Sequence, residues 1–252
     1  MKVLLVGGSG HVGSFITPYL RANHELRVLD PRPPQLAGLE HVEGSVTDPE
    51  AVRRALTGVD TFIWLVMKSA QGGSLTTQDV PTIVDNYQLN CQSLHQLLYL
   101  AQEQGIKRGV YTSTMSVHYR VRTLYPGEEL VPLDTPSVYG LTKGFGEQIC
   151  QYFARWFDMN LIALRITAPR TRQQYLDERR NPRVYPDGSK LFPTDEEDLA
   201  NAYLAALAAV QVGHGRFDAV FIAGDEAEKE HNLAKAKRLL GWEPRSQRFL
   251  ES

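Results

Sequence analysis

The apolar run KVLLVG (2–7) ends in GGSGHVG, where Gly7, Gly10 and Gly13 recur at every third position before apolar residues resume. Glycine inside a strand or helix costs about 0.5–1 kcal/mol relative to alanine, so this spacing marks a place where the backbone itself is used. The run before it has the character of a strand buried on both faces, and residues 12–22 after it are helical in pattern although Pro18 interrupts them. A glycine-spaced turn between strand and helix reverses the chain tightly, lets backbone amides approach a pyrophosphate, and lets the helix pack closely on the strand. Asp30 follows Gly10 by about twenty residues, at the end of ELRVLD (25–30), where a carboxylate would hydrogen-bond an adenosine ribose. Together these features read as a dinucleotide-binding crossover. The carboxylate would repel a 2′-phosphate, which favours NAD over NADP, while Arg32 nearby keeps NADP possible.

The alternation continues along the chain. Helical patterns are expected at 49–56, 82–104, 137–157 and 195–210, and strands at 60–67, 107–114 and 161–166. The expected fold class is therefore α/β, a Rossmann-type doubly wound parallel sheet covered on both faces. Residues 1–165 are expected to form the dinucleotide-binding domain, and 166–252 a small substrate-binding region interleaved with the last strand and helices of the sheet. The stretches 31–38 and 168–194 read as irregular, the second facing substrate.

Composition excludes several functions. Lys and Arg total 27 against 29 Asp and Glu, a net charge of −2 with no basic footprint for nucleic acid or an anionic membrane. No apolar run approaches the ~20 residues of a membrane span. Seven scattered histidines lack metal-ligand spacing, so no metal is expected. The N-terminus carries no leader pattern, and Cys91 and Cys150 read as reduced thiols, so a cytoplasmic protein is expected.

The second informative stretch is SVYGLTKGFGEQI, in which Tyr139 and Lys143 share one helical face. A phenol with a pKa near 10 is a poor base at neutral pH, and a neighbouring ammonium favours its ionised form. Behind a dinucleotide site, that pair suits proton removal from a hydroxyl as hydride leaves the carbon beneath it.

With these motifs the chain resembles the extended short-chain dehydrogenases/reductases, specifically the NAD-dependent epimerase/dehydratase family. The resemblance spans nearly the whole chain and also rests on Asn90, VYTSTMSV, LRI (164–166), EEDLANAYLAAL and AKAKRLLGWEP. It implies a catalytic triad of Thr114, Tyr139 and Lys143, with Ser113 as the neighbouring hydroxyl. Implied coenzyme contacts come from Gly7, Gly10, His11, Val12, Gly13, Asp30, Ser45, Val46, Leu65, Val66, Tyr139, Lys143 and Ile166. Implied substrate contacts come from Ser69, Met115, Ser116 and Thr167. A small carbohydrate substrate and a homodimer paired through the helices at 82–104 and 139–157 are also implied.

Several residues depart from the family pattern. Ser45 occupies an aspartate slot near the adenine. Val66, Met67 and Lys68 replace small residues and are expected to crowd or recharge the pocket. About thirty residues separate Arg165 from Asp198, a short span that argues for a small substrate. Within the family the chain is most similar to uronate dehydrogenases, through its length, VYGLTKGFGEQ and FDMNLIALRI. Met115-Ser116 stands where that group has Asn-His. Arg170, Arg172, Arg179, Arg180 and Arg183 are candidate partners for an anionic substrate, or simply solvated charges. Three functions are consistent with these residues: a sugar or sugar-acid dehydrogenase, a nucleotide-sugar epimerase or dehydratase that retains NAD, and a non-enzymatic dinucleotide sensor.

Overall fold

The computed structural model describes residues 1–68, 78–119, 122–182, 184 and 191–250. The chain opens with β1 (Lys2–Val6), α1 (His11–Arg21), β2 (Glu25–Asp30), β3 (Glu40–Glu43), α2 (Pro49–Leu56) and β4 (Thr61–Trp64). It continues through α3 (Val80–Tyr87), α4 (Ser93–Glu103), β5 (Arg108–Thr114), α5 (Val138–Phe157) and β6 (Asn160–Ile166). The last part holds β7 (Pro169–Arg170), α6 (Arg172–Arg180), β8 (Thr194–Asp195), α7 (Glu196–Ala209), β9 (Phe217–Ile222) and α8 (Ala234–Leu240).

Seven strands form one sheet in the order β3-β2-β1-β4-β5-β6-β9, every pair parallel. Side chains alternate faces along a strand, so each central strand feeds two cores. Val3, Leu5, Ile63 and Val110 pack with Ile16 and Leu20 of α1 and Leu199 and Tyr203 of α7. Leu4, Val6, Phe62 and Tyr111 point the other way, onto Val52 of α2, Leu97 of α4 and Phe153 of α5. Being covered on both faces explains why these strands read as continuous apolar runs. The strand order reverses between β1 and β4, which opens a crevice at their carboxyl ends.

The structure differs from the sequence expectations in four places. The strand expected at 60–67 ends at Trp64, and the long helix at 82–104 is α3, a π-helical turn over Gln88–Gln92, and α4. β3 joins the sheet where no element was expected, while β9 and α8 give ranges to the last strand and a helix expected without bounds in 166–252. The stretch 168–194 holds β7, α6 and β8 instead of irregular chain alone. α6 starts at a reciprocal cap in which Thr171 accepts from the Gln174 amide and Gln174 accepts from the Thr171 amide. Among the described residues no helix is long and apolar enough to cross a membrane.

Candidate active site

Gly7 follows β1 with φ +81°, and a Cβ there would lie 2.9 Å from Val66 Cγ2. Gly13 is packed tighter still: a Cβ would meet the Gly8 carbonyl oxygen at 2.1 Å. The turn therefore needs glycine both for its conformation and for the close seat of α1. Gly10 caps α1 with no side chain to engage the first-turn amides, which leaves a helix N-terminus suited to an anion. At the end of β2, buried Asp30 accepts hydrogen bonds from the amides of Ser9 (3.2 Å) and Arg32 (3.0 Å). The Ser9 hydroxyl donates to the Arg32 carbonyl at 2.7 Å, so the acid and the glycine turn are one assembly.

These groups open into a cavity of about 700 Å³. Its lining contains Gly7, Gly10, His11, Val12, Asp30, Ser45, Val46, Leu65, Val66, Tyr139, Lys143 and Ile166, with Thr114 beside Tyr139. Of the expected coenzyme contacts, only Gly13 lies outside the lining, because it packs on Gly8. Met115, Ser116 and Thr167 are also outside it. The Thr167 hydroxyl instead donates to the Phe192 carbonyl (2.7 Å) and bonds the Thr194 hydroxyl (3.1 Å). Ser69 and Arg183 fall outside the described residues. Val66 and Met67 line the cavity, whereas Lys68 does not. Its ammonium sits 3.1 Å from Asp85, on α3.

α5 carries the catalytic candidates. Its first turn is capped by Ser137, which accepts from the Gly140 amide at 3.1 Å. A Cβ at Gly140 would lie 2.1 Å from the Ser116 carbonyl oxygen, so this glycine lets the helix start press against the turn after β5. Tyr139 thereby meets Thr114. Burial pushes the Tyr139 phenol up to about 12 against the opposing pull of a hydrogen bond with the Thr114 hydroxyl. Thr114 also accepts the Ser116 amide at 3.1 Å, whereas the Ser113 hydroxyl turns away and donates to Glu147 Oε1 at 2.5 Å. The geometry therefore favours Thr114 over Ser113 as the substrate-facing hydroxyl. Lys143 is fully buried with its Nζ 4.4 Å from the Tyr111 ring centroid. Burial brings its ammonium down to about 7, opposed by Cys150, Glu147 and Cys91.

Behind these residues lies a polar network that the sequence reading missed. Arg165 grips Glu147 with both edges of its fork, Nε to Oε1 at 2.9 Å and Nη2 to Oε2 at 2.7 Å. Its Nη1 donates to the Glu128 carbonyl (3.1 Å) and contacts His118 Nε2 (3.2 Å). Burial brings His118 down to about 4. A signal was available: Glu147 is one turn beyond Lys143 on a face that must be buried, and a buried carboxylate requires a partner. The π-helical turn aims Asn90 inward, where it accepts the Lys68 amide and donates to the Thr142 hydroxyl, at 3.1 and 3.0 Å.

The arginines separate by partner. Arg172 binds Asp195 and Glu197, and Arg179 binds Glu226 and the Gly224 carbonyl, while Arg180 is exposed. Of the four described, Arg170 alone enters the cavity lining. Among the described residues no group of three His, Cys, Asp or Glu could hold a metal, and both cysteines are free.

The fold and this cavity define a dinucleotide-dependent enzyme of the short-chain dehydrogenase/reductase type. The model of the NAD dependent epimerase/dehydratase family matches residues 3–223, and the chain belongs to that family, whose coenzyme is NAD. It is 32% identical over 154 residues to a 3-beta-hydroxysteroid dehydrogenase from Mycolicibacterium neoaurum, covering 58% of this chain and 42% of that one. Its match covers less than half the length of that protein, as it does of the Mycobacterium tuberculosis 3 beta-hydroxysteroid dehydrogenase/Delta 5-->4-isomerase. It is also 25% identical over 261 residues to L-arabinose 1-dehydrogenase (NAD(P)(+)) of Haloferax volcanii, covering 97% of this chain and 96% of the relative. Among solved structures, a short-chain dehydrogenase/reductase superfamily protein from Agrobacterium tumefaciens with bound NAD superposes with TM-score 0.78 at 21% identity, covering 100% and 95% of the two chains. A mutated uronate dehydrogenase superposes with TM-score 0.73 at 24% identity, covering 99% and 84%. These two likenesses are of fold.

Proposed function

We propose that the protein is an NAD-dependent dehydrogenase that oxidises a hydroxyl-bearing carbon of a small carbohydrate or sugar acid, with Tyr139 as the base. The observation that carries this reading is one cavity that holds both halves of the machinery. The glycine turn and Asp30 line one end of it, and Thr114, Tyr139 and Lys143 the other. Full-length similarity to an L-arabinose 1-dehydrogenase supports net oxidation of a sugar.

NAD, when bound, supplies the hydride acceptor and a positively charged ring. The α1 amides hold its phosphates and Asp30 its ribose. Thr114 holds the substrate oxygen, and Tyr139 takes the hydroxyl proton. Bringing a phenol from about 12 to near neutrality requires roughly 7 kcal/mol of differential stabilisation. Even at close range, one ammonium supplies only about 3–4 kcal/mol at an effective dielectric constant of 20. Lys143 as an ammonium therefore contributes part, and the rest falls to the charge of the oxidised ring. This makes the phenol a competent base only once the site is loaded.

Exposed Val80, Val84 and Tyr87 on α3 and Phe145 and Trp156 on α5 support a homodimer of paired helices, checked by light scattering. Two free thiols fit a reducing, cytoplasmic setting. The functional test is a screen for NADH formation across aldoses, uronic acids and nucleotide sugars, repeated with NADP. Net NADH from a free sugar or sugar acid supports the proposal. Conversion of a nucleotide sugar without net NADH, by protein that purifies with NAD attached, would replace it with an epimerase or dehydratase.

A further inference from the structure

Resting on the dehydrogenase reading, we propose that Arg170 is the substrate-recognition cation of the cavity. The substrate then pairs its oxidisable hydroxyl with an anionic group, a carboxylate or a phosphate monoester.

The position follows from the backbone. β6 ends at Ile166, and Ala168 turns the chain in the left-handed region, φ +29°, its carbonyl held by the Thr194 amide at 3.1 Å. A non-glycine residue in that region is strained and is retained where the surroundings hold it. β7 then pairs with β8, Pro169 opposite Thr194 and Arg170 opposite Asp195. Arg170 lines the cavity just past β6, the neighbour of β5, whose end carries Thr114.

Among the described residues, Lys68, Arg165, Arg172 and Arg179 stay outside the cavity lining, each on an acid of its own. Lys68 is on Asp85, Arg172 on Asp195 and Glu197, Arg179 on Glu226, and Arg165 on Glu147. Arg32 lines the cavity too, but it follows β2, four strand spacings from β6, a separation of about 19 Å. It serves the ribose end. The glycine turn follows β1, three spacings or about 14 Å from β6, so the coenzyme phosphates have their own donors.

Arg170 is also poised for a second anion. Glu178 of α6 accepts from Nε at 2.8 Å, and the Pro169 carbonyl accepts from Nη1 at 3.1 Å. These bonds use two of the five guanidinium N–H groups, and the side chain is 23% exposed. Held on its Nε side, the fork keeps donors on both Nη atoms for a carboxylate or phosphate. Its ordering cost has already been met by the fold.

The test compares wild type with Arg170→Gln and Arg170→Lys. NAD affinity is measured first. Calorimetric binding of a uronic acid, a sugar phosphate and a matched neutral aldose to the NAD-loaded protein follows, then kcat and KM for each. The proposal predicts NAD affinity within about twofold of wild type in both variants. It also predicts a loss of about 30- to 100-fold in affinity for one acidic ligand in Arg170→Gln, carried by KM. Arg170→Lys should fall between, since a point charge replaces a fork. Whether the uronic acid or the sugar phosphate shows the loss identifies the anionic group. A tenfold loss of NAD affinity would assign Arg170 to the coenzyme and overturn the proposal. Acid affinity within threefold of wild type, no acid binding to wild type, or equal wild-type preference for the neutral aldose would also overturn it. Arg170-dependent acid binding without NADH formation would sink the dehydrogenase reading and leave the anion site standing.

Discussion

Glu147 is the residue whose loss should cost this fold most for the removal of one charge. Its carboxylate takes both edges of the Arg165 guanidinium and the Ser113 hydroxyl, and both charged side chains are at most 6% exposed. Glu147→Gln keeps the shape and leaves Arg165 without a counter-charge. Breaking a buried pair from one side costs about 3–5 kcal/mol. In a chain of this length each kcal/mol moves Tm by about 2–4 °C, so thermal unfolding at neutral pH should fall by roughly 6–20 °C. Glu147→Leu combined with Arg165→Met removes both charges and should recover most of that loss, because the desolvation cost disappears with the attraction. Ser113 adjoins Thr114, and Glu147 lies one turn beyond Lys143, so the Gln variant should also lose kcat more than NAD affinity. A Tm within 2 °C of wild type for Glu147→Gln, or a double variant less stable than the single one, would refute this reasoning.

Two predictions concern pH. Folding lowers Lys143 from its ordinary 10.5 to about 7, so the unfolded chain binds more protons between those values and stability rises with pH across that window. Below about pH 7 the full cost, up to ~5 kcal/mol, is present. Lys143→Met should therefore be more stable than wild type in denaturant titrations at pH 6–7, and inactive. His118 is lowered from 6.5 to about 4, so stability should fall by ~3 kcal/mol as pH drops through that interval. His118→Gln should flatten the acid limb of the same titration.

The legible parts of this molecule are those where backbone geometry restricts the residue type. Gly7 and Gly13 stand where a Cβ does not fit, and Asp30 ends a strand whose alternation is plain. Tyr139 and Lys143 are legible through helical spacing. β3 is hard to read because it is a short, charged edge strand, EHVE, whose one apolar residue, Val42, is only partly buried against the core. α6 escaped notice for a related reason. Tyr175 is its only buried residue, and the helix is held by pairs such as Arg179 with Glu226, whose partners are distant in sequence. The π-helical turn leaves little trace because one extra residue per turn shifts the phase without changing composition. The family resemblance places Lys68 and Thr167 at the pocket, but the Lys68 ammonium pairs with Asp85 and the Thr167 hydroxyl with the Phe192 carbonyl.

The account depends on one phenol acting inside a coenzyme cavity, and Tyr139→Phe tests it by removing a single oxygen. NAD affinity and NADH formation are measured on the same preparation, with whichever sugar or sugar acid the screen identifies. The expected result is NAD affinity within about threefold of wild type and turnover reduced by about 10³-fold or more. Turnover within tenfold of wild type, with coenzyme still bound, would contradict it.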